Sequence, residues 1–482
     1  MKKRIYGLES EYGIIFTTDG KKTLPVEKAV RYLFEKLDTM EGFLNVFFDN
    51  GAKFYLDTGY HPEYATPECA SLHDVIRYDK AGERIIEDLL HFAERRATKE
   101  GLAGNLSIFK NNTDFVGNSY GCHENYLVDR AVDFNYLAER LIPFLVARQI
   151  FTGAGKLFKT RWGTDYFISQ RAEHVCQKIS GATTNDRSII NTRDEPHADR
   201  EKYRRLHVIV GDSSMSEYTT YLKFGTTALV LEVIEEGGIN KGFALRNPVK
   251  AIKDISHDTT LTRRVDLEDG RKMSALEIQQ AYYELSVRYF ESRGAGPIAA
   301  DILQRWGAVL EALATDPMQL DRQIDWVIKK RLIETYQEYH DISWNNDRLL
   351  MLDLQYHNIR RDKGLYYLLE RNGLVDRILN DEEIEEARST PPADTRARLR
   401  GEFIRLAREK RLQYDIDWSY IRLNNFLNIK IVLDDPFETE NAEFTELMER
   451  IRRSSARDLH LKFDDQSIFA HLPRGLSNFF YR

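Results

Sequence analysis

The sequence predicts an α+β fold with a largely antiparallel sheet. Strand-like and helical segments do not alternate strictly, as they would in a doubly wound parallel sheet. Hydrophobic residues make up 42% of the 482 residues, which is enough for a sizeable core. A chain of this length exceeds one ordinary small domain, so we expect a large domain and a smaller one.

The elements follow from hydrophobic periodicity and turn residues. Strands are predicted near residues 5–16, 44–58, 105–111, 165–171, 187–193 and 205–211. Helices are predicted near residues 26–38, 74–100, 135–151, 216–236, 274–293 and 321–340. A charged helical stretch at 380–388 precedes a Pro-rich turn, a further helix at about 395–410, and short strands such as 428–433. The predicted domains are therefore residues 1–410 and 411–482.

Composition argues against several classes of protein. The net charge of −7 argues against a nucleic-acid binder, whose domains are usually basic. Three distant cysteines without a C-x-x-C motif indicate neither a zinc site nor a disulfide framework. No apolar run approaches the length of a membrane span, and the basic N-terminus leads into no apolar signal core. A reducing cytoplasm is the expected location.

Two carboxylates lie close together on the first predicted strand. Glu9 and Glu11 are two residues apart, so they share one face of the strand. Neighbouring like charges repel unless a cation lies between them, and Mg²⁺ prefers such oxygen ligands. The alternative is that both carboxylates simply face water.

The second candidate strand alternates cleanly. Lys53, Tyr55 and Asp57 share one face, and Phe54 and Leu56 share the other, so burial of the apolar face presents the polar set. Two prolines then make residues 60–69 rigid and extended, with further ligand-type side chains at His61, Glu63, Thr66 and Glu68. A solvated edge strand and its loop is the alternative interpretation.

Three weaker signals follow. Residues 117–126 form a Gly- and Asn-rich segment that suits either a substrate loop or a structural turn. Arg193 is equally compatible with an anion clamp and with a surface ion pair. His207 lies among apolar strand residues, where a histidine is more often part of the core than a ligand.

Familiar nucleotide-binding motifs are missing. The segment Gly153-Ala154-Gly155-Lys156 lacks the earlier glycine and the Ser/Thr of a phosphate-binding loop, and no dinucleotide or kinase motif is present. Use of ATP would therefore require an open sheet with metal and side chains. Carboxylate-lined sheets of this kind suit enzymes that convert a carboxylate into an acyl phosphate.

Long motifs in order resemble the family of Pup ligases and Pup deamidases, which is related to glutamine synthetase and other carboxylate–amine ligases. They are Gly7-x-Glu9-x-Glu11-x-Gly13, Asn50-Gly51-Ala52-x-x-Tyr55-x-Asp57, and the segments 61–68, 110–114, 119–126, 191–199 and 203–207. The resemblance spans nearly the whole chain. It implies a curved open sheet backed by helices, with a small C-terminal domain that contributes to the nucleotide site.

The resemblance implies an ATP-dependent ligase and a set of site residues. Such a ligase phosphorylates the γ-carboxylate of the C-terminal Glu of Pup, a small disordered acidic protein tag. It then joins Pup to lysines of target proteins and marks them for proteasomal degradation, with no role for nucleic acid or membrane. Carried over, Glu9, Tyr55 and Glu63 would bind Mg²⁺, Asp57 would be the general base, and Lys53, Thr66 and Trp418 would contact ATP.

The ligase branch is the closer match. The path from Gly13 to Asn50 lacks the long insertion of the deamidases, and residues 417–424 also follow the ligase pattern. Lys53 departs from the expected Arg, so its phosphate contact would be a point charge. The alternatives are a Pup deamidase or depupylase using the same Asp57, and a non-catalytic binding protein on a former enzyme scaffold.

Pup would require an apolar groove with basic edges. The candidate basic residues are Arg204, Arg205 and the segment 360–363. Glu11, Glu68 and His207 are left open as ligands of further ions or as supports of the metal site.

Overall fold

A computed structural model describes residues 1–18, 22–37, 44–57, 59–102, 104–114, 117–160, 163–182, 187–239, 242–424 and 429–453. Its strands are β1 (Tyr6–Glu11), β2 (Gly13–Thr18), β3 (Lys22–Thr23), β4 (Asn45–Phe47), β5 (Lys53–Asp57), β6 (His61–Ala65), β7 (Asn105–Phe109), β8 (Cys122–Asp129), β9 (Lys156–Thr160), β10 (Gly163–Phe167), β11 (Gln177–Ser180), β12 (Ser188–Asn191), β13 (Tyr203–Val208), β14 (Arg264–Asp266), β15 (Lys272–Ser274), β16 (Tyr414–Asp417), β17 (Tyr420–Leu423) and β18 (Ile429–Val432).

The helices account for most of the remaining chain. They are α1 (Val26–Glu35), α2 (Leu72–Lys99), α3 (Phe134–Ala147), α4 (Gln149–Thr152), α5 (Glu217–Glu235), α6 (Pro248–Ser256), α7 (Ala275–Arg293), α8 (Pro297–Thr315), α9 (Asp325–Tyr339), α10 (Asp347–Tyr356), α11 (Leu365–Arg371), α12 (Asp381–Ala387), α13 (Ala397–Glu409) and α14 (Ala442–Arg453). Within the described ranges, no helix is both long enough and apolar enough to cross a membrane.

The central sheet has eight strands in the order β11-β12-β13-β8-β1-β6-β5-β4. Its neighbours pair antiparallel, except for the parallel pair β11 and β12. The predicted mainly antiparallel α+β fold is therefore confirmed. Strand β1 lies in the middle, so Glu9 is opposite Ala65 on one side and His123 on the other.

Helices cover one face of this sheet and leave the other to the polar residues. Tyr6 and Leu8 of β1 are buried in an apolar core with residues of α2, α3 and α5. Phe54 of β5 lies in a second core with α1 and α2, and Leu56 packs against it. Because side chains alternate along a strand, Glu9, Lys53 and the other odd-numbered residues of these two strands are turned to the opposite face.

Three strands of this sheet were not predicted as such: β6, β8 and the edge strand β11. We expected loop character around residues 117–126, but Cys122–Asp129 forms β8, the neighbour of β1. The extended stretch with Pro62 forms β6, which is an internal strand rather than an edge strand. Pro62 lacks an N–H, but its carbonyl accepts from Tyr12 N at 2.9 Å. Neither the β6 nor the β8 segment has the clean apolar alternation that usually signals a strand.

The last described part of the chain has a core of its own. Helices α13 and α14 pack with β16–β18 around Phe403, Ile421 and Met448. The predicted boundary between residues 410 and 411 falls directly after α13, and it stays a prediction. Residues 454–482 of the predicted small domain lie outside the described residues.

Glu68 links this unit to the end of β6. Its carboxylate pairs with Arg396 at 2.7 Å and with Arg400, and its carbonyl accepts from the Thr395 hydroxyl at 2.9 Å. Burial opposes ionisation, but the charges of Arg400 and Arg396 lower the pKa of Glu68 from 4.5 to about 2. Glu68 is therefore a structural ion-pair partner rather than an additional metal ligand.

We expect Glu68→Gln to destabilise the protein by about 3 kcal/mol or more, because it leaves two buried guanidinium groups without an acid. The depressed pKa contributes stability that is present above pH 4.5 and is lost as the pH falls towards 2. Denaturant unfolding at several pH values measures both effects. Glu402→Gln, which removes a surface pair on α13, should change stability by less than about 1 kcal/mol. Equal losses in both variants would contradict this role for Glu68.

Candidate active site

The polar face of the sheet lines a cleft with a volume of about 460 Å³, within the usual range of ligand sites. The strands β1, β5, β6, β8 and β13 supply its floor, and residues 193–197 and 417–418 supply its walls. All seven predicted site residues line this one cleft: Glu9, Lys53, Tyr55, Asp57, Glu63, Thr66 and Trp418.

Two groups of metal-ligand side chains lie on the sheet. Oxygens of Glu11, Asp57 and Glu63 lie within 4.8 Å of one another, and we call these three residues the acid triad. Atoms of Glu9, His123 and His207 form a second group with the same spacing. The two groups follow from the register, because Glu11 is opposite Glu63 while Glu9 is opposite His123.

Glu9 is held as a carboxylate. His123 Nδ1 lies 3.1 Å from it, Asn125 donates to it at 3.1 Å, and Arg205 is 3.6 Å away. Burial opposes the charge, but contacts with His123 and His207 and the positive charge of Arg205 lower the pKa of Glu9 well below its usual value.

His207 presents unpaired nitrogen atoms at the same place. Both ring nitrogens are buried without a hydrogen-bond partner, and its Nε2 lies 3.6 Å from Glu9, too far for a hydrogen bond. Burial lowers the pKa of His207 to about 4, so the neutral ring offers a lone pair. An orphaned buried imidazole beside a carboxylate fits a cation ligand better than the core role expected from its apolar neighbours in sequence.

The carboxylates of the acid triad and of Glu9 repel one another. Burial, together with the charges of Glu9 and Glu11, raises the pKa of Glu63 well above its usual value. Burial and the same acidic surroundings raise the pKa of Tyr55, so its phenol stays protonated. Acids this close together require a positive charge between them to ionise together, which is what a divalent cation supplies.

The opposite end of the cleft is aromatic and basic. Trp418 packs edge-on against Phe47 at 5.1 Å and lies 6.5 Å from the His197 ring. Lys53 lies 3.9 Å from Asp417 and above the ring of Phe47. Its pKa is lowered by burial. A half-buried indole beside a cation suits a base and its phosphates.

Some of the remaining residues singled out in the sequence line the cleft, and others lie elsewhere in the fold. Arg193 and Arg205 line the cleft, and Thr66 Oγ1 accepts from Leu8 N at 3.0 Å. The segment 360–363 is not a free basic edge, because Arg360 pairs with Glu94 and Arg361 with Glu87, each at 2.7 Å. These two arginines stabilise the fold, and a role of the segment at the edge of the groove stays a prediction.

Sequence reasoning missed His123, Asn125 and Asp417. His123 and Asn125 alternate along β8, so recognition of that strand would have placed both on the polar face. Asp417 ends β16 and approaches Lys53 from the far end of the chain. No local signal in the sequence reveals that contact.

The open antiparallel sheet and its converging acids and imidazoles define the class of nucleotide-dependent carboxylate ligases rather than a phosphate-loop enzyme. A family model described as Pup-ligase protein matches residues 4–422. The chain belongs to the Pup-ligase family.

Relatives and solved structures agree with this assignment. The chain is 51% identical over 438 residues to the Pup–protein ligase of Actinosynnema mirum, covering 91% of this chain and 97% of the relative. It is 50% identical to that of Geodermatophilus obscurus, covering 93% and 99%. It is similar to the crystal structure of Pup in complex with its ligase PafA (37% identity, TM-score 0.89, 98% of each chain). It is also similar to PafA in complex with ADP (39% identity, TM-score 0.82, 90% and 95%).

Proposed function

We propose that this protein is an ATP-dependent Pup–protein ligase. It phosphorylates the γ-carboxylate of the C-terminal Glu of Pup and joins it by an isopeptide bond to lysines of target proteins, which marks them for proteasomal degradation. The observation that carries the proposal is the acid triad, in which Asp57 lies within 4.8 Å of Glu11 and Glu63 on the polar face of the sheet. Relatives at about half identity are named Pup–protein ligases, so the deamidase alternative is not favoured.

The residues fit a divalent cation such as Mg²⁺. Glu9 and Glu63 offer carboxylate oxygens, His207 offers an unpaired nitrogen, and Tyr55 lies beside Glu63 on the neighbouring strand. Oxygen ligands are those that Mg²⁺ prefers, whereas the two imidazoles also suit other divalent ions. When held by these residues, the ion would offset the negative charge that develops during phosphoryl transfer.

The side chains at the basic end would hold ATP. Trp418 provides a flat surface for the adenine, and Lys53 and Arg205 provide positive charge towards the phosphates. In this arrangement the γ-phosphate would lie near Glu9 and the tag's carboxylate near the acid triad. A γ-carboxylate oxygen then attacks the terminal phosphorus, ADP leaves, and an acyl phosphate results.

The second step requires a neutral amine. A lysine side chain has an ordinary pKa near 10.4 and is almost fully protonated at neutral pH. Asp57, half-buried on β5, accepts its proton as general base. The amine nitrogen then attacks the carbonyl carbon (Cδ) of the acyl phosphate, the C–N bond forms, the C–O bond to the phosphate breaks, and inorganic phosphate leaves.

Intact-mass spectrometry tests the activity directly. With Pup, ATP, Mg²⁺ and a lysine-bearing acceptor, we expect a new species whose mass is the sum of Pup and acceptor minus one water, together with ADP. With Pup ending in Gln and no acceptor, conversion of Gln to Glu without ligation would instead favour the deamidase. Absence of both products would favour a non-catalytic binding protein.

Trp418→Ala should raise the KM for ATP about tenfold, because stacking of a base on an aromatic ring contributes about 1–3 kcal/mol. The kcat should change little, since Trp418 is not near the acid triad. Steady-state kinetics at saturating Pup measure both constants. Trp418→Phe keeps an aromatic surface and should recover most of the loss. Equal kinetics of the Ala variant and the parent would remove Trp418 from the nucleotide site.

A cytoplasmic location stays a prediction. Cys69 and Cys122 are buried free thiols, as proteins of a reducing compartment usually have.

A further inference from the structure

Arg171 is a buried cation without an acidic partner. Only 2% of its surface is exposed, yet no described carboxylate lies within ion-pair distance of its guanidinium. The other arginines that are buried among the described residues each pair with a carboxylate: Arg4, Arg84, Arg148, Arg360, Arg396 and Arg400. An uncompensated charge in the interior is costly, so Arg171 calls for an anion that binds from outside the chain.

The hydrogen bonds of Arg171 leave part of the guanidinium unused. One terminal nitrogen donates to the carbonyl of Tyr120, while Nε is buried and has no partner. The backbone N–H of Arg171 donates to Asp212 at 3.0 Å, which fixes the start of the side chain. Burial lowers the pKa of Arg171, and among charged groups the acid that opposes this most is Glu11 of the acid triad.

Arg187 adds a second positive charge at this position. Its side chain is half-buried and donates to the carbonyl of Ser119 at 2.9 Å. It is close enough to lower the pKa of Arg171 and of His174. The two arginines therefore donate hydrogen bonds to the carbonyls of two consecutive residues, Ser119 and Tyr120.

That segment connects the arginines to the acid triad. Gly121 follows Tyr120, and a Cβ at this glycine would lie 2.3 Å from Glu11 Oε1. This short segment thus contacts Glu11 at Gly121 and accepts from both arginines at the two preceding residues. Neither arginine lines the cleft that contains Lys53 and Trp418, so this pair of charges is separate from the residues assigned to the nucleotide.

We infer that Arg171, supported by Arg187, binds the α-carboxylate of the tag's C-terminal glutamate, an inference that rests on the proposed function. A C-terminal glutamate carries two carboxylates, and only the γ-carboxylate reacts. The α-carboxylate is a permanent anion that compensates the buried guanidinium and fixes the direction of the side chain towards the acid triad. An internal glutamate has an amide at this position, so the same contact selects the chain terminus.

The test combines enzyme variants with an altered substrate. The kcat/KM for Pup is measured with ordinary Pup and with Pup whose C-terminal α-carboxyl is an amide while its γ-carboxylate is intact. The kcat/KM of the parent enzyme should be about a hundredfold lower with the amide than with ordinary Pup, as expected when a buried charge pair loses one partner. Arg171→Gln should lose a similar factor on ordinary Pup, mainly through KM. For this variant, kcat/KM should be less than about threefold lower with the amide than with ordinary Pup. The substitution of Arg171 and the amidation of Pup remove the same interaction, so their effects should not add.

The comparison of ordinary Pup with the amide distinguishes binding of the α-carboxylate from other roles of Arg171. If Arg171 bound the transferred phosphoryl group or only supported the fold, the variant would be impaired equally on both substrates, and the parent would tolerate the amide. Either result overturns the inference. Arg187→Gln changes a half-buried group and should show a weaker form of the same pattern, and it decides the matter if Arg171→Gln does not fold. A parent enzyme that transfers no Pup at all would instead refute the proposed function.

Discussion

We expect Asp57→Asn to lower the kcat for ligation of Pup to lysine about a thousandfold or more and to leave the KM for ATP nearly unchanged. General-base catalysis contributes about 10²–10⁴ in rate, and an amide cannot accept the proton of an incoming ammonium. The side chain lies in the acid triad, whereas Trp418 and Lys53 lie at the basic end of the cleft. Formation of the Pup–acceptor conjugate and binding of ATP are therefore measured separately.

A matched control is available on the same sheet. Asp129 is exposed at the end of β8 and accepts from the backbone of Ala131 at 2.8 Å, so Asp129→Asn should keep full activity. If Asp57→Asn ligates at a rate close to that of Asp129→Asn, Asp57 is not the base. A lowered rate that recovers with strongly basic pH would agree with the assignment, because the lysine then loses its proton to solvent.

Glu9→Gln should lower kcat about a thousandfold and raise the Mg²⁺ concentration that gives half-maximal activity about a hundredfold. Glu9 lies between His123, His207 and Arg205, with contacts of 3.1 to 3.6 Å. The substitution keeps the shape but removes the negative charge that a divalent ion requires. Activity measured against Mg²⁺ concentration, and direct titration with Mn²⁺, follow the loss of the ion.

The control for Glu9 lies outside the cleft. Glu449 on α14 is exposed and pairs with Arg453 at 2.9 Å, so Glu449→Gln should change neither metal dependence nor kcat by more than about twofold. An unchanged Mg²⁺ requirement in Glu9→Gln would exclude Glu9 as a metal ligand.

The alternation along β5 was enough to place Lys53, Tyr55 and Asp57 on the polar face, and the structure brings all three to the cleft. The acids of β1 were likewise readable from spacing alone. The missing apolar alternation concealed β8, and with it His123. Tyr55 as a metal ligand came only from family resemblance, and its role stays a prediction.

Other parts of the site depend on contacts that no local pattern contains. Glu68 resembled a metal ligand in sequence, but its partners Arg396 and Arg400 lie more than three hundred residues away. Arg171 likewise has no acidic partner among the described residues, and only the folded structure shows which acids lie near it. Local periodicity specifies the face of a residue, whereas tertiary packing specifies its partners.

Transfer of an oxygen isotope tests whether the reaction passes through an acyl phosphate on the tag. Pup is prepared with ¹⁸O in both oxygens of its terminal γ-carboxylate and is ligated to a lysine-bearing acceptor with unlabelled ATP. A γ-acyl phosphate predicts that each phosphate released carries one ¹⁸O atom and that the isopeptide carbonyl keeps the other. Unlabelled phosphate, or release of AMP and pyrophosphate in place of ADP, would contradict the reaction assigned to this site.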